Sequence, residues 1–321
     1  MTSKYLLAAL LWAAIASAFA DPPDQNELNW LKTMAFATHQ TEYTGTFVYQ
    51  YDNHVETSRI THITDQHGEY GRLEGLDGNQ REIIHNNNKV WCYVGGRMVS
   101  MVNRQGRRGF PVLLPEQLSL LTQNYRIKQP EKMRVAGMET HAFILQPRDT
   151  LRYTHKMWAH NDSGLLVKAA ILDDRGRIVE QYAFTQLTIG GNIDRKWLAG
   201  KSAPDTSAQQ VSSAHTDEMN QVSGWQVHAL PWGFKKTMEM RRSLRGNKMP
   251  VTHLVFSDGL AGISVFIENV ADHPNMKSGL SSQGAIQIYS KVDGEHAITV
   301  VGEVPPHAMM QVADSVRYKG Q

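Results

Sequence analysis

Between residues 43 and 63 the chain alternates apolar and polar positions: YTGTFVYQY, then Asp52-Asn53, then VETSRITHI. Side chains of a strand point to opposite faces in turn, so this pattern predicts a β-hairpin. Ahead of it, Leu28, Leu31 and Ala35 fall at helical spacing, with Trp30, Met34 and Ala37 as a second apolar row. The spacing predicts a helix from Asp24 to His39, whose wide apolar arc needs a sheet to cover it. Period-two segments follow at 80–85, 89–94 and 98–102, punctuated by an Asn-rich turn and by Gly95-Gly96. Pro111 to Asn124 switches to helical spacing, with Pro115 near the start and Leu118 and Leu121 on one side. Strands then resume as METHAFILQP, LRYTHKMWAH and GLLVKAAILDDRGRIVEQYAFTQLTIG, separated by Asn161-Asp162-Ser163-Gly164 and Asp173-Asp174-Arg175-Gly176. Short strands joined by tight turns make an antiparallel meander with a few helices over it.

The periodicity lapses between Asp194 and Gly224, where Ser, Ala, Gln and Asp dominate, and residues 195–223 read as a linker. Strand character returns in LVFSDGLAGISVFIE, which sets Leu254–Phe256 against Ile263–Ile267 around Asp258-Gly259. Ala285–Ser290 and Ala297–Val301 flank the turn Val292-Asp293-Gly294. Pro305-Pro306 then opens a helix whose apolar face carries Met309, Val312, Ala313 and Val316. The fold class expected is α+β, with a larger domain at 21–194 and a smaller one at 224–321.

The first twenty residues stand apart. Lys4, an apolar run from Tyr5 to Ile15 and Ala18-Phe19-Ala20 before Asp21 have the layout of a signal peptide cleaved after Ala20. The run is shorter than the ~20 residues that span a bilayer, and no cysteine follows the cleavage site to take a lipid. In a Gram-negative cell the exported chain would lie in the periplasm. Of 321 residues, 301 remain after cleavage, more than one core usually organises. Cys92 is the single cysteine, so no internal disulfide supports the fold even in an oxidising compartment. Between Trp91 and Tyr93 it reads as a strand thiol.

Catalytic signatures are missing: the chain has no GxSxG elbow, no HExxH and no phosphate loop. Fourteen histidines invite a metal reading, yet His62 and His67, like His155 and His160, are five apart, a spacing that points the rings to opposite faces of a strand. Solvated or sheet-capping histidines are expected, with no metal, no cofactor and no enzyme activity. A formal net charge of +2 with 41% hydrophobic residues argues against a nucleic-acid-binding protein, so basic patches are judged locally.

Two such patches stand out. Arg104, Arg107 and Arg108 lie in NRQGRRGF among exposing glycines, and Lys235 to Lys248 carries six basic residues against Glu239 alone, a local charge of +5. A solvated face accounts for either. In an exported protein they also suit a ligand that carries phosphates, since guanidinium groups grip phosphate bidentately. Trp232, Phe234, Arg241, Arg242 and Arg245 are of the residue types that dominate interface energies and are candidates for a docking face. Trp232 lies between Pro231 and Gly233 in a loop, whereas Phe234 fits the small core equally well.

Three segments, LPWGF at 230–234, VFSDGLAGISVFIE at 255–268 and ITVVGEVPPHAMMQVADSV at 298–316, in this order and spacing, make the chain similar to the MucB/RseB family, periplasmic regulators of envelope-stress sigma factors. The resemblance runs over nearly the whole mature chain. It implies a LolA/LolB-like half-barrel, a curved antiparallel sheet with an apolar concave side, for the larger domain. It also implies a negative regulator that binds the periplasmic domain of a single-pass membrane anti-sigma factor of the RseA/MucA kind and protects it from proteolysis. Lipopolysaccharide or another amphiphile is the implied releasing signal, and a homo-oligomer the implied assembly. A periplasmic lipid or lipoprotein carrier is the competing reading, but a carrier has no evident need for the second domain.

Overall fold

The computed structural model describes residues 25–87, 89–103, 110–111, 113–115, 118–193, 195–198, 223–242, 249–273 and 276–319. In chain order the elements are α1 (Gln25–Gln40), β1 (Tyr43–Tyr51), β2 (His54–Asp65), β3 (Gly68–Gly75), β4 (Arg81–Asn86), β5 (Lys89–Val94), β6 (Arg97–Asn103), α2 (Ser119–Asn124), β7 (Tyr125–Val135), β8 (Met138–Pro147), β9 (Thr154–His160), β10 (Leu166–Leu172) and β11 (Ile178–Ile189). There follow α3 (Arg195–Leu198), β12 (Trp225–Val227), β13 (Lys235–Arg242), β14 (Val251–Ser257), β15 (Gly262–Asn269), a 3₁₀ turn at Val270–Asp272, β16 (Gly279–Gln283), β17 (Ile286–Asp293), β18 (His296–Gly302), α4 (Pro306–Asp314) and β19 (Val316–Tyr318).

The first eleven strands form one antiparallel sheet in the order β6-β5-β4-β3-β2-β1-β11-β10-β9-β8-β7. Its centre is where the first strand pairs with the last, from Tyr43 opposite Ile189 to Tyr51 opposite Glu180. The edges are β6 and β7, neighbours in sequence at opposite sides of the sheet, so the connection between them must recross the sheet. Its apolar residues make that crossing favourable. Phe110, Leu114, Leu118 and Leu121 are buried in one cluster with Phe47, Tyr125, Phe143 and Phe184. The Phe110 ring lies 5.1 Å from those of Phe47 and Phe184 and stacks on Tyr182 at 5.4 Å. Leu31, Met34 and Ala35 of α1 join the same cluster, as their spacing requires.

A second, six-stranded sheet runs β13-β14-β15-β18-β17-β16, and β12 and β19 form a separate pair. α4 closes this core, with Ala308, Met309, Val312 and Ala313 fully buried against Leu254, Val265, Ile298 and Val300. Each large apolar side chain removed from water there contributes about 1.5–3 kcal/mol. Among the described residues no helix is long and apolar enough to cross a membrane.

Several sequence expectations need correction. β3 and β7 are full strands that alternation did not reveal, because GEYGRLEG carries three glycines and YRIKQPEKMRV is interrupted by Pro130 and charge. Among the described residues the second helix is the six of α2, and Pro111, 113–115 and Leu118 ahead of it are not helical. β9 begins at Thr154, because Leu151, Arg152 and Tyr153 face the second sheet. Arg195–Leu198, assigned to the linker by composition, is a helical turn on the first sheet: Arg72 donates to the Trp197 carbonyl at 2.6 Å and its guanidinium stacks 4.4 Å from the Trp197 ring.

Candidate functional site

The hairpin turn SDGL between β14 and β15 does more than reverse the chain. Asp258 is completely buried. Its Oδ1 accepts the backbone N–H groups of Leu260 and Ala261 at 2.9 and 2.8 Å, the local bonding that makes Asp a turn former. Its Oδ2 reaches into the first sheet and accepts Arg152 Nε at 2.6 Å and the Tyr125 hydroxyl at 3.1 Å. Asn124, at the end of α2, donates to the Asp258 carbonyl at 3.2 Å. Turn and neighbouring sheet therefore share one carboxylate.

Arg152 completes the joint. Its remaining nitrogens donate to Asp149 and to the Trp232 carbonyl, and its guanidinium stacks 5.0 Å from the Phe234 ring. Burial alone would lower the Arg152 pKa, but the hydrogen bond and charge of Asp258 outweigh it and hold the group above its ordinary value. Burial, then the Asp258 charge, pushes Tyr125 well above 10, so it remains a donor. Gly233 is required here: its φ is +85° and a Cβ would fall 2.1 Å from Asn124 Oδ1. Apolar contacts interlock across the same joint, since Leu260 packs on the first core and Leu151 on the second.

A second contact joins the sheets further along. Glu180 of β11 accepts the Tyr49 hydroxyl at 3.0 Å and, in the turn between β16 and β17, the Ala285 N–H at 2.9 Å. Burial raises its pKa, and those two donors only partly offset the effect. Gln287 donates to the Tyr153 hydroxyl at 3.2 Å, and Gln283 to Tyr51 at 3.4 Å.

Between the sheets lies a cleft of about 870 Å³, lined on one side by Met157, Ala169, Ile171 and Tyr182 and on the other by Met238, Val255, Ile263 and Val301. It is mostly apolar and large enough for a long-chain or peptide ligand. His155 sits in its wall and is buried, neither solvated nor capping a sheet as its spacing suggested. Burial pushes its pKa down to about 4, against the opposing pull of Asp258, so the ring is neutral.

The docking candidates separate. Trp232 is 70% exposed, whereas Phe234 is 8% exposed, packed in the second core and covered by the Arg152 guanidinium, so it is not itself a surface anchor. Arg241 is exposed on β13, the edge strand of its sheet, beside a cavity of about 700 Å³ that also meets Trp225, Glu295, His296 and Tyr318. The Arg242 side chain and the whole of Arg245, Arg104, Arg107 and Arg108 lie outside the described residues. Cys92 is a half-buried strand residue with a free thiol. Sequence reasoning missed Tyr49, Tyr125, Arg152 and Glu180, whose partners are over 100 positions away. The available signal for the joint was Asp258 in a hairpin turn with nothing nearby to neutralise it.

Two family models match in tandem: the MucB/RseB N-terminal domain over residues 26–201 and the MucB/RseB C-terminal domain over 219–317. The chain belongs to the MucB/RseB family. It is 33% identical to the sigma factor AlgU regulatory protein MucB of Pseudomonas aeruginosa, over 98% of this chain and 97% of that protein. Against the sigma-E factor regulatory protein RseB of Haemophilus influenzae it is 24% identical, over 97% of both. Solved MucB in complex with MucA(peri) matches it with a TM-score of 0.70 at 30% identity, covering 91% of this chain and 99% of that one. A Pseudomonas aeruginosa MucA/MucB complex gives 0.72 at 30% identity, covering 92% and 99%. The signature segments of this MucB/RseB chain, LPWGF and SDGL, are the two that meet at Arg152.

Proposed function

We propose that this chain is a periplasmic negative regulator of a sigma-E/AlgU-type envelope-stress response. It binds the periplasmic segment of a membrane anti-sigma factor, shields that segment from proteolysis and releases it when a lipid such as lipopolysaccharide binds. The observation that carries this reading is the near full-length match to MucB, whose solved partner is MucA(peri). Its relatives are regulatory proteins by name, in keeping with a chain that acts by binding and not by catalysis.

In this reading residues 1–20 are removed on export, and a lipoprotein-carrier-like half-barrel (21–194) and a partner-binding domain (224–321) are joined by 195–223. The half-barrel takes the acyl chains, with Arg104, Arg107 and Arg108 on the phosphates of the head group. Trp232, whose carbonyl is held by Arg152, joins Arg241, Arg242 and Arg245 in facing an acidic stretch of the anti-sigma segment. The chain self-associates. Lipid can release the partner only by preferring the conformation that does not hold it, because equal affinity for both states shifts nothing. The two contacts between the sheets, at Asp258 and Glu180, are where the choice of conformation would be made.

Calorimetric titration of an anti-sigma periplasmic segment into the protein tests this. Reversing Arg241 and Arg242 to Glu is expected to weaken binding by about 2–5 kcal/mol with circular dichroism unchanged, since like charges then face each other. Adding lipopolysaccharide is expected to weaken the wild-type complex, and less so when Arg107 and Arg108 are both Ala. Equal affinities in the first comparison would remove the basic face from the interface.

A further inference from the structure

The register of β2, β3 and β4 assembles a group that separate histidine spacings conceal. His62 of β2 pairs with Gly71 of β3, and Gly71 pairs with His85 of β4. The three positions share one face, and Glu69, two residues before Gly71, is on it too. The glycine between the two histidines makes room: a Cβ there would fall 2.1 Å from His85 Cε1. His62 Nε2 lies 3.0 Å and His85 Nε2 3.6 Å from Glu69 Oε1, and the ligand atoms of all three are within 4.8 Å of one another. From the end of α1, His39 Nδ1 approaches both oxygens of the same carboxylate at 3.3 Å.

The hydrogen bonding of His62 orients the cluster. His62 Nδ1 lies 2.8 Å from the Thr41 carbonyl, which can only accept, so Nδ1 carries the hydrogen and Nε2 is the nitrogen turned toward Glu69 and His85. The His62 and His85 rings lie 5.9 Å apart, and their nitrogens converge with the carboxylate closely enough for one divalent ion to bond all three. Zinc bonds of ~2.0–2.1 Å at tetrahedral angles set donors ~3.3 Å apart, within the span of the observed separations. A histidine ligand whose other N–H is held by a backbone carbonyl is the usual outer-shell arrangement.

We infer that His62, Glu69 and His85 form a binding site for a transition-metal ion of the zinc class, with His39 hydrogen-bonded to the Glu69 carboxylate beside it. Imidazole with carboxylate suits Zn²⁺, Ni²⁺, Cu²⁺ or Fe²⁺ over Ca²⁺ or Mg²⁺. Bound there, the ion ties the end of α1 to three strands of the first sheet.

The test is equilibrium dialysis and calorimetry of the untagged chain with Zn²⁺, and with Co²⁺ as a spectroscopic stand-in. The expected result is one ion per chain, a higher Tm and the intense visible absorption of tetrahedral Co²⁺. Glu69→Gln and His85→Asn should each weaken binding by more than the roughly 10–100-fold that loss of an outer-shell partner costs, whereas His67→Ala, at an exposed turn, should leave it unchanged. If a variant fails to fold, X-ray absorption of the zinc-loaded wild type decides, with scattering from at least two imidazoles expected. No stoichiometric binding, equal binding by the folded variants, or an oxygen-only shell would overturn the inference.

Discussion

Asp258 and Arg152 concentrate the energetics of the joint in one pair, with side-chain exposures of 0% and 1%. Removing Arg152 leaves the Asp258 charge buried without its cation, so Arg152→Met is expected to lower unfolding stability by about 3–5 kcal/mol, whereas Asp258→Asn should cost less because Arg152 keeps its ion pair with Asp149. The double variant should lose less than the sum, because its second change removes the stranded charge. Urea unfolding of the four proteins measures both. His155 supplies a pH signature nearby. Folded, it takes up a proton only at about 4, while in the unfolded chain it does so near 6.5. Between those values the unfolded chain binds more protons, so its contribution is intact above pH ~6.5 and lost progressively as pH falls toward 4, up to ~3 kcal/mol. Glu180 works the other way: its raised folded pKa makes the folded chain hold its proton more tightly, so its contribution weakens as pH rises above its unfolded value. Comparing the urea midpoints of wild type and His155→Phe at pH 7 and pH 4.5 is expected to show a shallower acid loss in the variant.

Among the elements, the 230–234 turn matters through its closeness to α2. At Gly233 any side chain meets both an unfavourable φ and the Asn124 amide, whereas at Gly78, with φ +67°, a Cβ meets nothing within 4 Å. Gly78→Ala should therefore carry only the backbone cost, about 1–2 kcal/mol. Gly233→Ala should exceed it, since Asn124 must also leave the Asp258 carbonyl. Thermal unfolding of the two variants side by side gives the difference. Elements also set what could be read in advance. β1, β2, β14, β15 and α4 announced themselves because their apolar residues recur at strand or helix spacing between clear turn residues. β3 and β16 did not: β3 has glycines where a pattern would show, and every residue of β16 is exposed.

For the whole molecule, the connection between the sheets is less important than their contacts. A protease that cuts between residues 199 and 222 should leave two fragments that elute together from a sizing column at neutral pH, held by Asp258–Arg152 and Glu180–Ala285. The same cut in Asp258→Asn should release them more readily. Co-elution that is indifferent to Asp258 would shift the weight of the interface to the apolar contacts of Leu151 and Leu260.

Hydrophobic period determined most of the strands and the opening and closing helices, because burial is written locally in alternation and in turn residues, while the family was legible through the resemblance of three segments to MucB/RseB. LPWGF and SDGL were legible as signatures, but their task was not: Phe234 reads equally well as anchor or core until Arg152 is seen stacked on it, 82 positions away. Only the tertiary structure decided the buried Asp258 pair, the neutral His155, the cleft between the sheets and the convergence of His62, Glu69 and His85. Each depends on strand register or on sheet-to-sheet packing, and a single sequence carries no local periodicity that records which distant strands become neighbours.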